Sequence, residues 1–159
     1  MAPVVPVVRR SVECLPALSP AHLDFHHRIR HQIFVEEQGL FHPSDLDHHD
    51  GEPGVIRVLG LCDAVPAGTV RLFPLDTDGR LWQGDRLAVL PEFRALGLGK
   101  PLVRFAVATA GSLGGGEMVA HIQLANVAFF ERLGWTKKGD VEVYVGIPHQ
   151  PMCIGLSQA

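Results

Sequence analysis

The chain has 159 residues, of which 47% are hydrophobic and 19% are charged, and its formal net charge is −3. This length and composition predict one globular domain with a sizeable core. They exclude the strongly basic surface of a nucleic-acid-binding protein, and no apolar run is long enough to span a membrane. Cys14, Cys62 and Cys153 are too few and too widely spaced for a disulfide framework, which favours a reducing, cytoplasmic compartment.

The chain begins with a predicted strand and helix. Alternating apolar residues predict a first strand that ends near Glu13. Ser19 followed by Pro20 is typical of a helix start, because the hydroxyl caps the first turn and proline needs no hydrogen bond there. Apolar residues at helical spacing continue the pattern to Gln38, and Gly39 is a suitable stop.

Three β-rich segments follow a polar loop. Residues 55–62 and 67–75 are short runs joined by a turn, and they predict an antiparallel hairpin. Residues 80–90 predict a third strand. These segments place an antiparallel sheet in the middle of the chain.

The second half alternates helices with strands. A helix is predicted from Gly97 to the glycines at 114–116, and a buried strand over 118–124. A short helix follows over 126–134, with its first residue, an asparagine, as the predicted cap. Residues 141–147 predict the last strand. Hairpins followed by alternating helices and strands indicate a mixed sheet.

The segment RALGLGK, residues 94–100, lies between the third of these β-rich runs and the next helix. Two glycines one residue apart let the backbone approach a phosphate closely, and the following helix start supplies N–H groups and a positive dipole end. A Walker loop needs four residues between its glycines, and a Rossmann fingerprint needs a third glycine where Leu102 stands. The segment therefore predicts a different kind of pyrophosphate cradle.

Two longer motifs resemble the signatures of the GNAT superfamily of N-acetyltransferases. LAVLPEFRALGLGKPLV, residues 87–103, resembles the acetyl-CoA signature, and HIQLANVAFFERLGW, residues 121–135, resembles the second signature. RHQIFVEEQGL and GIPHQPM are similar to segments of a bacterial GNAT subgroup associated with nitrogen starvation and nitrilase gene clusters. The resemblance covers about residues 8–156.

The resemblance implies one GNAT domain over residues 1–159. Its fold would be of the α+β class, an α/β/α sandwich with a mixed, mostly antiparallel central sheet flanked by helices. The fourth and fifth strands would splay apart to form a cleft for acetyl-CoA. The resemblance also implies that a homodimer can form, and it gives no reason to expect nucleic acid, membrane or metal partners.

The matched motifs imply a set of residues that bind acetyl-CoA as a co-substrate. Leu87, Ala88 and Val89 would lie along the pantetheine arm, with the amide of Val89 or Leu87 facing the thioester carbonyl. The remaining positions are Arg94, Ala95, Leu96, Gly97, Leu98, Gly99 and Lys100 around the pyrophosphate, then Gln123 and Phe130. Many relatives have a tyrosine at the position of Phe130 that protonates the leaving thiolate, and phenylalanine cannot do so.

The chemistry requires a base, because an alkyl ammonium must lose a proton before it can attack the thioester. The candidates are Glu37, Glu36, His121 and Asp85. Glu37 leads because the early helical region usually forms the acceptor side of the cleft in this family. His121 lies inside an apolar strand, where a buried core histidine is the commoner role. Tyr144, on the last predicted strand, is a distant candidate for the acid.

The resemblance implies transfer of an acetyl group to a primary amine, most simply that of a small molecule. Acidic residues over 36–52 would favour a cationic amine if they line the cleft. One alternative is an acyl-homoserine-lactone synthase, which shares the core and an early Arg-x-x-x-Phe-Val segment. A non-catalytic acyl-CoA sensor is a second alternative because of Phe130. A metal-binding module is a third, but the nine histidines show no complete ligand pattern, so no metal site is predicted.

Overall fold

The computed structural model describes residues 10–156, and the fold is given for that range. A single mixed sheet carries the helices on its two faces. The elements are β1 (Val12–Pro16), α1 (Pro20–Arg30), β2 (Ile56–Cys62), β3 (Val65–Pro74), β4 (Leu81–Val89), α2 (Gly99–Ser112), β5 (Glu117–Gln123), α3 (Val127–Arg132), β6 (Thr136–Lys137), β7 (Glu142–Tyr144) and β8 (Ile147–Gly155). Short 3₁₀ turns lie at His48–Gly51, Pro91–Leu96 and Leu124–Asn126.

The strand order in the sheet is β1-β2-β3-β4-β5-β8-β6, and β7 pairs with β8. Every pairing is antiparallel except that of β4 with β5. This architecture confirms the predicted α+β GNAT fold with a mixed, mostly antiparallel sheet. The hairpin of β2 and β3 confirms the predicted pairing of residues 55–62 with residues 67–75.

The parallel pair of β4 and β5 is short. Residues Leu81–Gln83 pair with Glu117–Val119, and the ladder ends there. Beyond that point β4 pairs with β3, and β5 pairs with β8. The outer half of β4 therefore leaves backbone groups unpaired toward β5, and a cleft opens between the two strands.

Two apolar clusters cover the two faces of the sheet. On one face Leu102 and Ala106 of α2 pack in a cluster that includes Val58 and Met118. On the other face the α1 side chains pack in a second cluster that includes Leu59. Val58 and Leu59 are neighbours on β2, so successive side chains of this strand pack into opposite clusters, as expected for a sheet covered on both sides.

The first helix begins as predicted and then widens. The hydroxyl of Ser19 accepts a hydrogen bond from the His22 N–H at 3.1 Å, and Pro20 lies in the first turn. From His31 to Glu37 the chain forms π-helical turns. Gly39 then adopts a φ of +63°, which suits a helix stop.

Two strand predictions require correction. The predicted first strand begins outside the described residues, and β1 runs past Glu13 to Pro16. The prediction of one last strand over residues 141–147 is wrong, because the chain turns at Val145 and Gly146, both with positive φ, and continues as the longer β8. Prolines within β8 interrupt the strand pattern in the sequence, since proline is rare inside sheets.

Candidate active site

A groove of about 710 Å³ runs along β4 toward the start of α2, and we call it the cofactor groove. The π-helical turns and α3 form its other walls. It is lined by most of the residues predicted to bind acetyl-CoA, namely Leu87, Ala88, Val89, Arg94, Gly97, Gly99, Lys100 and Phe130. The residues of the sequence motifs therefore lie together along one groove.

The glycine turn at the end of this groove is open. Gly97 has a φ of +71°, and a Cβ added to it would meet no atom within 4 Å. Helix α2 begins at Gly99 with no side-chain cap, so its first N–H groups lack the partner that a cap provides. This arrangement fits a pyrophosphate group, which the helix start and Lys100 can bind.

Four predicted cofactor residues do not line the groove, namely Ala95, Leu96, Leu98 and Gln123, and Gln123 is the last residue of β5. The side chain of Leu98 is fully buried in the apolar cluster beneath α2, so only its backbone could reach a phosphate. Ala95 and Leu96 are exposed on the 3₁₀ turn before Gly97. They carry the chain into the glycine turn.

Arg94 and Glu37 form an exposed ion pair at the groove wall. The Arg94 guanidinium donates a hydrogen bond to the Glu37 carboxylate, and its Nε donates to the Val89 carbonyl at 3.1 Å. The hydrogen bond from Arg94 holds the pKa of Glu37 below its ordinary value. The structure thus places Glu37 beside the pyrophosphate cradle, paired with a cation.

Strand β4 contains a bulge at the cleft. Thr69 pairs with Ala88 whereas Arg71 pairs with Asp85, so β4 has one residue more than β3 in this stretch. Arg86 has a φ of +54°, which is uncommon for a residue other than glycine. The Thr69 hydroxyl donates to the Arg86 carbonyl at 2.8 Å. A bulge bends a strand and redirects its side chains.

Buried charges hold this bulge in place. The Arg86 Nε donates to an Asp45 carboxylate oxygen at 3.0 Å, and Nη2 donates to the Asp45 carbonyl at 2.9 Å. The guanidinium also lies 4.4 Å from the centre of the Phe41 ring. The loop that follows α1 is therefore fastened to β4 through one side chain.

Arg30 and Arg71 extend this cluster, and their side chains are completely buried. Arg71 donates to both oxygens of Asp85, each at 2.7 Å, and also contacts Asp47 and Asp50. Arg30 contacts Asp50 at 2.7 Å. We call these three arginines, with Asp45, Asp47, Asp50 and Asp85, the charged network. Its members come from α1, the loop, β3 and β4.

The charged network controls the ionisation of its member Asp50 and of the neighbouring His26. Burial would raise the pKa of Asp50, but hydrogen bonds and charge from Arg30, with the charge of Arg71, hold that pKa well below its ordinary value. Burial and then the charge of Arg30 lower the pKa of His26 to about 3. His26 is therefore neutral, with Nδ1 bonded to the Val58 carbonyl at 2.9 Å.

A second cavity, the interstrand pocket, lies between β4 and β5 beyond their last paired residues. It encloses about 140 Å³. Gln38, Leu87, Asn126 and Phe130 line both this pocket and the cofactor groove. The two cavities therefore meet where the strands separate.

Three aromatic side chains gather at the polar end of the interstrand pocket, on the α1 face of the sheet. The rings of His121 and Tyr144 stack at 5.3 Å with an interplanar angle of 17°, and Tyr144 meets His149 edge-on at 5.4 Å. His121 is exposed, so its interpretation as a buried core histidine is wrong. The strand alternates, and Ala120 and Ile122 are the residues that enter the core.

His149 is a buried histidine that sequence reasoning missed. Its Nδ1 lies 3.0 Å from the Ile147 carbonyl, and because a carbonyl only accepts, Nδ1 carries the hydrogen. In the neutral ring Nε2 then has the free lone pair, and no group in the described part of the chain hydrogen-bonds it. The sequence did not predict β8, and so it did not predict the position of His149. In the structure His149 pairs with Gln123 of β5, which places it at the cleft.

Three other residues predicted at the site have different positions in the structure. Asp85 lines the interstrand pocket, but its carboxylate is bound by Arg71. Glu36 is exposed and lies 3.8 Å from His31, outside both cavities. Gln123 donates to the Gln38 side chain at 3.2 Å, which joins the end of β5 to the helical region across the cleft.

Asn126 behaves differently from its prediction as a helix cap. It forms no side-chain cap hydrogen bond, and it lines both the cofactor groove and the interstrand pocket. The helix-start pattern in the sequence concealed a residue at the junction of the two cavities.

Two remaining observations bear on partners. Ligand atoms of His48, His49 and Glu52 lie within 4.8 Å of one another on the loop, outside both cavities. Over residues 10–156, no helix has the length and apolar character that crossing a membrane would need.

The geometry of the groove fits an acyl-CoA-dependent transferase, and comparison with known proteins agrees. The pattern of the Acetyltransferase (GNAT) family matches residues 19–135. The chain is 31% identical over 122 residues to an acetyltransferase of Bacillus subtilis (strain 168), covering 76% of this chain and 81% of that protein. The chain belongs to the GNAT family, and it is an acyl-CoA-dependent N-acetyltransferase.

Solved structures share the fold. An N-acetyltransferase from Lactobacillus plantarum superposes with a TM-score of 0.80 at 24% identity, covering 92% of this chain and 99% of the other. The CoA-dependent acyl-homoserine lactone synthase BjaI, solved with SAM and isopentyl-CoA, has a TM-score of 0.74 at 19% identity, covering 93% of this chain and 84% of the other. At these identities the similarity concerns the fold.

Proposed function

We propose that this protein transfers an acetyl group from acetyl-CoA to the primary amine of a small molecule. The observation that carries the proposal is the junction of the cofactor groove with the interstrand pocket at Leu87, Asn126 and Phe130. A thioester that arrives along the groove would reach an amine that enters from the polar end of the pocket.

The cofactor groove supplies each kind of contact that acetyl-CoA needs. The start of α2, Lys100 and Arg94 would bind the pyrophosphate. The pantetheine amides would pair with the unpaired edge of β4 over Leu87–Val89, and an N–H there would stabilise the thioester oxygen as it becomes negative. Glu37 competes for Arg94, and an exposed ion pair of this kind is readily exchanged for a phosphate contact.

The reaction requires a base for the amine. The amine nitrogen attacks the thioester carbonyl carbon, the N–C bond forms, and the C–S bond breaks with its electron pair leaving on sulfur. We assign the base to His149, because its Nδ1–H is held by Ile147 and its Nε2 is free in the pocket. His121 is the second candidate, through its place beside Tyr144.

The thiolate requires the proton that the amine has lost. Phe130 cannot donate it, whereas Tyr144 lies in the same pocket with a hydroxyl. We therefore assign Tyr144 as the acid, positioned by stacking on His121 and by an edge-on contact with His149. Glu37 is the alternative base, and its pairing with Arg94 makes it the weaker one.

The pocket limits the acceptor. The aspartates of the 36–52 segment are paired with arginines in the charged network, so they do not present free negative charge to the cleft. Exposed Glu142 lies 3.9 Å from His121 and is the acidic group nearest that ring. A small amine of neutral or modest positive charge fits this end best.

Free-thiol release with acetyl-CoA across a panel of anionic, neutral and cationic amines tests the proposal. We expect turnover with at least one small amine, with the N-acetyl product identified by mass. His149→Gln should lower kcat at least 100-fold, the range expected for loss of acid–base catalysis. Tyr144→Phe should lower it at least tenfold.

The matched control is His48→Gln, an exposed histidine of the loop outside both cavities. It should leave kcat unchanged. Unchanged kcat in His149→Gln would reject that assignment. Saturable acetyl-CoA binding without turnover on any amine would reject the proposed reaction in favour of a sensor, and turnover with S-adenosylmethionine as the amine would favour the lactone-synthase reaction.

Three narrower proposals rest on the sequence alone, two on the family resemblance and the location on the cysteine content. These are membership of the subgroup associated with nitrogen starvation and nitrilase gene clusters, a cytoplasmic location, and a homodimer formed through sheet edges. Sedimentation of the purified protein tests the last, and a monomer at all concentrations would reject it.

A further inference from the structure

The inner end of the interstrand pocket differs from its polar end. It passes between β4 and β5 to the α2 face of the sheet, where apolar groups line it. These are Val70, Gly84, Val103, Ala106, Met118 and Trp135. All except the glycine belong to the apolar cluster beneath α2. A ligand part that enters this end meets a mainly apolar wall.

Small residues lie in the wall of this end. Gly84 lines the pocket and packs closely against Met118, since a Cβ added to Gly84 would lie only 3.1 Å from the Met118 sulfur. On α2, Ala106 lines the pocket where a larger side chain would occupy it. Core positions are normally filled to close packing, so a void with two small residues in its wall is a distinct feature.

The volume is larger than an acetyl group needs. The pocket encloses about 140 Å³. An apolar cavity of roughly 150 Å³ in another protein stays dry and binds benzene, a six-carbon ring. The volume covers both the polar end, where the amine would enter, and the apolar end. The methyl of an acetyl group alone would leave part of the apolar end empty, and unfilled apolar space is a favourable site for more carbon.

The position also fits the acyl part of the donor. Leu87 lines both cavities and lies where the thioester carbonyl is placed under the proposed function. The amine approaches from the face of His121 and His149, and the apolar end lies on the opposite face of the sheet. The acyl tail and the amine therefore occupy opposite sides of the reacting carbon.

We infer that this protein accepts acyl-CoA donors with acyl chains longer than acetyl, straight or branched, up to about five carbons. The inference rests on the proposed function, because the thioester must lie at Leu87. The reaction is otherwise unchanged: the amide N–C bond forms, the thioester C–S bond breaks, and the thiolate takes the proton that the amine loses.

Calorimetric titration tests this without knowledge of the acceptor. The probes are CoA and its acetyl, propionyl, butyryl, isovaleryl and octanoyl thioesters. Burial of each added methylene should tighten binding about fourfold, up to the five-carbon acyl group. Octanoyl-CoA should bind more weakly than isovaleryl-CoA because its chain exceeds the cavity. Affinity that is constant or falls from acetyl to butyryl would overturn the inference.

A substitution inside the cavity gives the second test. Ala106→Leu should fill the space, so that isovaleryl-CoA binds within about threefold of acetyl-CoA while CoA itself binds as before. Ala106→Val should give a smaller loss, and it serves if the leucine variant does not fold. Ala108→Leu makes the same change on the exposed side of α2 and should keep the full chain-length preference.

The outcomes separate this inference from the function beneath it. A chain-length preference that persists in a folded Ala106→Leu protein would place the acyl group elsewhere. Failure of CoA and every thioester to bind would instead remove the proposed function. Binding of CoA and acetyl-CoA alone would leave the proposed function intact and reject the longer donors.

Discussion

The cofactor groove and the charged network meet on β4, yet they are built in opposite ways. The groove uses backbone groups, glycines and a few exposed side chains, of which Arg94 and Glu37 are the most prominent. The network holds three buried arginines against four aspartates, of which Asp45 is buried and the others are partly buried, and its ion pairs join residues up to 41 positions apart. One side of the cleft is open and exchangeable, and the other is closed and fully paired.

This difference separates binding from stability. Removing an exposed charge in the groove leaves its partner in water, so the folded state loses little. Removing a buried charge from the network leaves its partners desolvated and unpaired, which is costly. Substitutions on the two sides should therefore give different patterns in binding and unfolding experiments.

The largest effect is expected for Arg71→Met. Arg71 is buried and holds Asp47, Asp50 and Asp85. Its loss removes the main partner of Asp47 and Asp85 and a second partner of Asp50, and it should lower the free energy of unfolding by about 3–5 kcal/mol. Urea unfolding measures the change.

The control for Arg71→Met is Arg28→Met. Arg28 pairs with Asp24 at 2.7 Å on the exposed side of α1. That change should alter stability by less than about 1 kcal/mol. Equal effects at the two arginines would contradict the distinction between a buried network and a surface pair.

The next effect lies in the groove. Arg94→Gln removes a charge placed to bind pyrophosphate, and it should weaken CoA binding about 10- to 100-fold, as expected for a charge-assisted hydrogen bond. The midpoint of urea unfolding should be the same as that of the unchanged protein. Arg104→Gln, on the exposed side of α2, should change neither quantity. Weaker CoA binding that came only with lower stability would show that Arg94 acts through the fold.

A further effect concerns pH. The folded protein keeps His26 neutral down to about pH 3, whereas an unfolded histidine gains a proton near pH 6.5. The contribution of His26 to the free energy of unfolding is therefore complete above pH 6.5. It is lost as the pH falls from 6.5 toward 3, at up to about 1.4 kcal/mol per pH unit.

His26→Gln tests this dependence, because glutamine can supply one donor and one acceptor without titrating. The free energy of unfolding of the variant should fall less steeply between pH 6.5 and 4.5 than that of the unchanged protein. Parallel curves would show that His26 does not control the slope.

The sequence predicts the groove better than the network, for a physical reason. The cradle depends on local features, such as the positive φ of Gly97 and the helix that follows it, which seven consecutive residues encode. The network depends on pairing among Arg30, Asp45 and Arg86, and such distant charges have no periodic pattern. His149 was missed for a related reason, since prolines concealed the strand that presents it.

The smallest effect on stability is expected for Glu37→Gln. This substitution also distinguishes a residue that only pairs with Arg94 from a catalytic base. Glu37 leads the base candidates by sequence, but the structure pairs it with Arg94 at the cradle. If it only competes with pyrophosphate for Arg94, its neutral replacement should tighten CoA binding a few-fold at low salt, less at high salt, with kcat nearly unchanged. If it is the base, kcat should fall by about 10²–10⁴. Glu36→Gln, outside both cavities, should have neither effect, so a loss of kcat confined to Glu37→Gln would move the base from His149 to the groove wall.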